Sequence, residues 1–211
     1  AGGSELSILA KMPETKIETE LFERLVIFNQ KVEKLENLSF AKDIVGSKFT
    51  MKWAKGVGFV IERHGPKGEQ FDAFILTLRL FMQDNSNISI RKIKECYDLL
   101  NISDELKQQF NESRNQFNKY LDKKSTLSHN NKNFTHREIL NFMLYGDYAH
   151  ITQRHSYHKI MNFGFNQELY NNEFVHITGN FLSFLKFLKE LNLMAMGEII
   201  DNANMKSEKN S

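Results

Sequence analysis

Apolar residues recur every three or four positions along most of this chain, and every second position in one short stretch. Ile17, Leu21, Leu25, Phe28, Val32 and Leu35 follow the first rule with charges between them, which predicts an amphipathic helix from Ile17 to Leu38. The period then changes. Phe49, Met51 and Trp53 alternate with polar residues, and Val57, Phe59 and Ile61 do so again after Ala54-Lys55-Gly56. This predicts one short antiparallel β-hairpin over about residues 48–62. His64-Gly65-Pro66-Lys67-Gly68 reads as a turn. Helical spacing returns from Glu69 to Asp84, where Phe74, Ile75, Leu78, Phe81 and Met82 leave Asp72, Arg79 and Gln83 only a narrow polar stripe. Such a helix belongs in a core.

Local stop and start signals divide the rest. Asn85-Ser86-Asn87 breaks the apolar helix, and Ser89 is placed to cap a helix to Leu100. Ser103 begins another, to about Lys123, with Asp104 and Glu105 where negative charge suits the helix dipole. Ser125 to Asn133 is polar and reads as a loop. Thr135 and Glu138 form a capping box, opening a helix that either continues through Gly146 to about Met161 or bends there. The last helix is predicted from Gln167 to Met196, with Phe174, Ile177, Phe181, Phe184, Leu188 and Leu191 at a/d heptad positions. Leu182, Leu185 and Phe187 widen that surface, so the helix suits either a central core position or a dimer seam. The sum is a mainly α fold, a bundle of about six or seven helices with one hairpin. Residues 17–200 form a single helical domain. Residues 1–16 hold a vector-derived remnant and a flexible start, and residues 201–211 a disordered tail.

Composition narrows the function classes. With 28 basic and 26 acidic residues, overall charge argues for neither nucleic acid nor membrane. Cys96 is the one cysteine, so no internal disulfide forms, which suits a reducing, cytoplasmic setting. It lies in an amphipathic helix and reads as packed, not nucleophilic. Trp53 reads as a core or interface anchor. No apolar run reaches membrane-spanning length, and no signal peptide is visible. The phosphate-cradling glycine loops and the GxSxG elbow are missing.

Candidate chemistry concentrates between Thr135 and Lys159, which holds four of the seven histidines: His136, His150, His155 and His158. On a continuous helix, Asp147, His150, Arg154 and His158 lie along one face, with His155 at its edge. A carboxylate, two imidazoles and a guanidinium in line can do general acid–base work on a phosphate. The same spacing also describes a solvated helix face. A metal is the weaker reading, because no HExxH or CxxC accompanies the histidines; no metal and no cofactor are expected. Arg79 interrupts the run FILTLRLF and needs a partner. Asp72 or Asp147 would make a buried salt bridge, and otherwise Arg79, with Tyr145, would hold a ligand anion.

The run Tyr145-Gly146-Asp147-Tyr148-Ala149-His150, following REILNFMLYG, resembles the HEPN helical-bundle proteins (higher eukaryotes and prokaryotes nucleotide-binding). The resemblance implies a helical, dimeric protein of the phage-defence or toxin–antitoxin kind, many of which are ribonucleases. The family's arginine precedes its histidine by four to six intervening residues. Here Tyr145 stands five before His150, and Arg154 has three residues before His158, so the motif is degenerate or absent. The expected function is therefore a dimeric interaction module with an RNA or protein partner. The alternatives are metal-independent RNA cleavage by His150 and His158 with Arg154 or Arg79, and metal binding.

Overall fold

The computed structural model describes residues 13–38, 52–54, 58–60, 66–129, 131–145 and 167–210. In chain order these form α1 (Pro13–Glu36), β1 (Lys52–Ala54), β2 (Gly58–Val60), α2 (Pro66–Met82), α3 (Ile90–Leu99) and α4 (Asp104–Asp122). They continue with β3 (Lys124–His129), β4 (Lys132–Thr135), α5 (His136–Tyr145) and α6 (Gln167–Lys209). The class is mainly α, with six helices among the described residues, and the predicted hairpin is present, pairing Trp53 with Phe59.

Helix ends follow their local signals. Ser89 accepts from the Lys92 amide at 3.1 Å, as its position before α3 predicts. The capping box is reciprocal: the Glu138 amide donates to Thr135 Oγ1 at 3.1 Å, and the Thr135 amide donates to Glu138 Oε1 at 3.2 Å. At the start of α4, Glu198 accepts from the Ser103 amide at 2.8 Å and from its hydroxyl at 2.9 Å. A carboxylate there meets the positive end of the helix dipole.

Two elements differ from expectation. The polar run after α4 is not a loop but a second antiparallel hairpin, with Ser128 opposite Asn133 and His129 opposite Lys132. Asn131 supplies the left-handed turn (φ 62°), a conformation asparagine tolerates better than most side chains. Ser125 and Leu127 turn inward while Lys124, Thr126 and Ser128 face out, a strand alternation that a single apolar residue barely marks. And α6 does not stop near Met196. It continues to Lys209, over residues read as a tail.

The chain, read as one domain, clusters into two compact units, each of non-contiguous segments. The first takes the described residues of 1–33, 80–113 and 186–211. Its core joins Leu25, Phe28, Phe81, Ile93, Tyr97, Phe110 and Leu188. Phe28 meets Phe81 edge-on at 5.0 Å, and Tyr97 stacks on Phe110 at 4.5 Å. Inside it runs a chain of polar groups. Tyr97 donates its hydroxyl to Asn192 Oδ1 (2.7 Å), Asn192 Nδ2 donates to Asn29 Oδ1 (3.0 Å), and Asn29 Nδ2 donates to the Lys189 carbonyl (3.1 Å). Each bond fixes the next amide's orientation, so burial leaves no main acceptor empty.

The second unit takes the described residues of 34–79 and 114–185. Phe74, Leu78, Leu121, Ile139, Leu144, Phe174, Ile177 and Phe181 fill its core. Phe117 stacks on Phe184 at 4.4 Å and meets Phe181 edge-on at 5.2 Å. All six predicted a/d residues of the last helix are buried within the chain, as are Leu182 and Leu185. The heptad seam is therefore core. What remains exposed on α6 is a different set: Phe187, Leu193, Met194, Ile200 and Met205.

Candidate functional site

Of the predicted stripe, Asp147, His150, Arg154 and His158 lie outside the described residues, as does His155. Arg79 and Tyr145 are described, and the structure brings them together. Arg79 Nε donates to the Leu144 carbonyl, and its guanidinium lies over the Tyr145 ring, 5.8 Å from the centroid. The two salt-bridge partners expected for it, Asp72 and Asp147, have side chains outside the described residues. The guanidinium thus sits beside the last residues of α5 and on the electron-rich face of an aromatic ring. Arg79 is half-buried rather than enclosed.

Four ionisable or aromatic side chains of the second unit form a tighter constellation. His136 is the first residue of α5, set there by the Thr135 cap. Its ring stacks on Tyr120 at 4.3 Å, and its Nδ1 lies 2.8 Å from the Tyr120 carbonyl. A carbonyl only accepts, so Nδ1 carries the hydrogen. Nε2 then faces Glu173 Oε2 at 3.6 Å. Glu173 is itself held: its Oε1 accepts from Thr126 Oγ1 at 2.7 Å. His176, one helical turn on from Glu173, meets Tyr120 edge-on at 5.3 Å and His136 at 5.7 Å.

Burial sets what this group can do. His136 is 6% exposed and Glu173 9%, so neither offers a face to a substrate. Burial, then the Glu173 carboxylate, pushes the Tyr120 hydroxyl well above the ordinary tyrosine range, with the Asn180 side chain opposing. Tyr120 is therefore a neutral phenol at physiological pH. The arrangement is an enclosed imidazole–carboxylate contact that ties α4, β3, α5 and α6 of this unit together, with the exposed His176 at its rim. Among the described residues no three His, Cys, Asp or Glu side chains converge to hold a metal.

The sequence marks His136 only as one of a histidine cluster and gives Glu173 and Tyr120 no distinction. The capping box does place His136 at a helix start, but its partners lie 16 and 37 residues away and are brought in by tertiary packing. No family model, curated protein or solved structure matches the chain. No helix among the described residues is long and apolar enough to cross a membrane.

Proposed function

We propose that this protein is a non-enzymatic helical interaction module that works as a homodimer, built along the exposed face of the C-terminal half of α6. The observation that carries this reading is the exposure of large apolar side chains there, with Leu193 at 57% and Ile200 at 50%. Five such residues on one helix are more than scattered surface apolarity requires.

The face suits a second copy of itself. Leu193, Gly197 and Ile200 share one side of the helix by their spacing. An antiparallel crossing centred near Gly197 sets Leu193 of each chain opposite Ile200 of the other. Gly197 has no internal reason to lack a side chain: a Cβ there meets nothing within 4 Å. A mid-helix glycine costs roughly 0.5–1 kcal/mol relative to alanine. Close approach of another helix gives that cost a purpose. The enclosed His136–Glu173 pair supports the non-enzymatic half of the reading, since it serves packing.

Light scattering at micromolar protein tests the dimer. A mass of two chains is expected, falling to one in the exposed-face variant Leu193→Glu with Ile200→Glu, while circular dichroism stays unchanged. A one-chain mass for the parent, or a variant that still dimerises, overturns the interface. Incubation with mixed RNA tests the other half: cleavage that disappears in His150→Ala and His158→Ala variants overturns the non-enzymatic assignment.

A further inference from the structure

Charge is unevenly placed along this nearly neutral chain. Residues 114–137 carry six basic residues and one acid, whereas the remaining 187 residues carry 22 basic and 25 acidic. The segment comprises the end of α4, the β3–β4 hairpin and the first turn of α5. Its one acid, Asp122, is occupied by Arg137 at 3.0 Å. Lys119, Lys123, Lys124 and Lys132 are all exposed, and among the described residues none has a carboxylate partner. Four cations around one ribbon, without a carboxylate partner among the described residues, favour an anionic partner with repeating charge.

We propose that the β3–β4 hairpin is a nucleic-acid contact that fits the major groove of duplex DNA. Three observations choose this partner. First, the ribbon's outward side chains are polar: Lys124 and Ser128 on β3, and Asn131, Lys132 and Asn133 at and after the turn. These residue types bond phosphates and base edges, and the apolar Leu127 is turned inward. Second, a two-stranded antiparallel ribbon matches the width of the B-form major groove, roughly 12 Å, whereas the major groove of A-form RNA is too narrow to admit side chains. Third, the lysines flank the ribbon at its base, Lys123 and Lys124 beside the strand start and Lys119 on the last turns of α4, where they meet the phosphates on either side of a groove. Thr126 is withdrawn from this role by its bond to Glu173, so Glu173 also fixes the ribbon. This inference uses no part of the dimer face.

Fluorescence anisotropy of the full chain with a labelled, mixed-sequence DNA duplex tests it across a salt series. Four lysine–phosphate contacts per hairpin give a slope of log affinity against log salt of about −3 to −4. The single variants Lys124→Gln and Lys132→Gln are each expected to reduce that slope by about one, while Lys107→Gln, in the first turn of α4, leaves it unchanged. Circular dichroism confirms that all three fold. Absence of binding at low salt overturns the proposal, as does an equal loss in Lys107→Gln. Duplex RNA or single-stranded DNA bound as tightly as duplex DNA overturns the groove fit.

Discussion

The imidazole of His136 has one nitrogen committed to a backbone carbonyl and the other set against a carboxylate, with a phenol ring covering its face. Such a residue is constrained on every polar edge, and the constraint has a measurable energy. Breaking a buried pair by removing one member strands the other, at a typical cost of about 3–5 kcal/mol. Glu173→Ala is therefore expected to lower unfolding free energy by roughly 3 kcal/mol in urea. It also removes the acceptor of Thr126, so the single variant overstates the pair. A cycle with Glu173→Gln, which can keep the Thr126 bond, and His136→Ala isolates the coupling, expected at about 1–3 kcal/mol. Additive losses within roughly 0.5 kcal/mol would show that the two residues act independently. Arg79 makes the contrasting case. Its described partners are the Leu144 carbonyl and the Tyr145 ring, 65 and 66 residues along the chain, which no local pattern around Arg79 encodes.

At the scale of elements, what was legible is what is local. Ser89, Thr135 and Glu138 announce their helix starts because capping involves residues three apart in sequence. The heptad positions from Phe174 to Leu191 announce a buried stripe because burial follows helical period. The β3–β4 hairpin escaped because its inward side is Ser125 and Leu127 and its turn residue is Asn131, not glycine. The division of α6 into buried and exposed apolar residues escaped too, since composition alone cannot separate Leu191 from Leu193. Asn29 and Asn192 read as ordinary surface amides, yet they cross-link α1, α3 and α6 within the first unit. That network gives a sharp test. Tyr97→Phe keeps the ring and its stacking on Phe110 but leaves Asn192 Oδ1 without its donor in a fully buried position. A buried acceptor left unsatisfied costs about 1–3 kcal/mol, so this near-isosteric change is expected to destabilise within that range. A Tyr97→Phe chain as stable as the parent in urea would mean that the amides re-pair without the hydroxyl.

At the scale of the molecule, each unit holds buried acids that folding keeps protonated. In the first, burial raises the Cys96 thiol from 9.0 to about 11, with the Arg24 guanidinium opposing, and burial lifts the Tyr97 hydroxyl far above its ordinary range. In the second, burial and the Glu173 carboxylate raise Tyr120. All three groups are neutral when protonated, so the folded chain holds their protons at pH values where the unfolded chain has released them. Stability then falls as pH rises, beginning near the unfolded thiol value and continuing to the folded one. For Cys96 alone the window is pH 9 to 11, and a rise of that size corresponds to on the order of 2–3 kcal/mol. Urea midpoints measured at neutral pH and in steps to pH 11 are expected to hold level and then decline through that window. Cys96→Ala is expected to weaken the decline without abolishing it, since Tyr97 and Tyr120 remain. The same burial should keep the thiol silent to an aromatic disulfide reagent at neutral pH until denaturant is added. Prompt labelling of the native chain, or a midpoint that stays level to pH 11, would show that Cys96 is not enclosed as its packing in α3 requires.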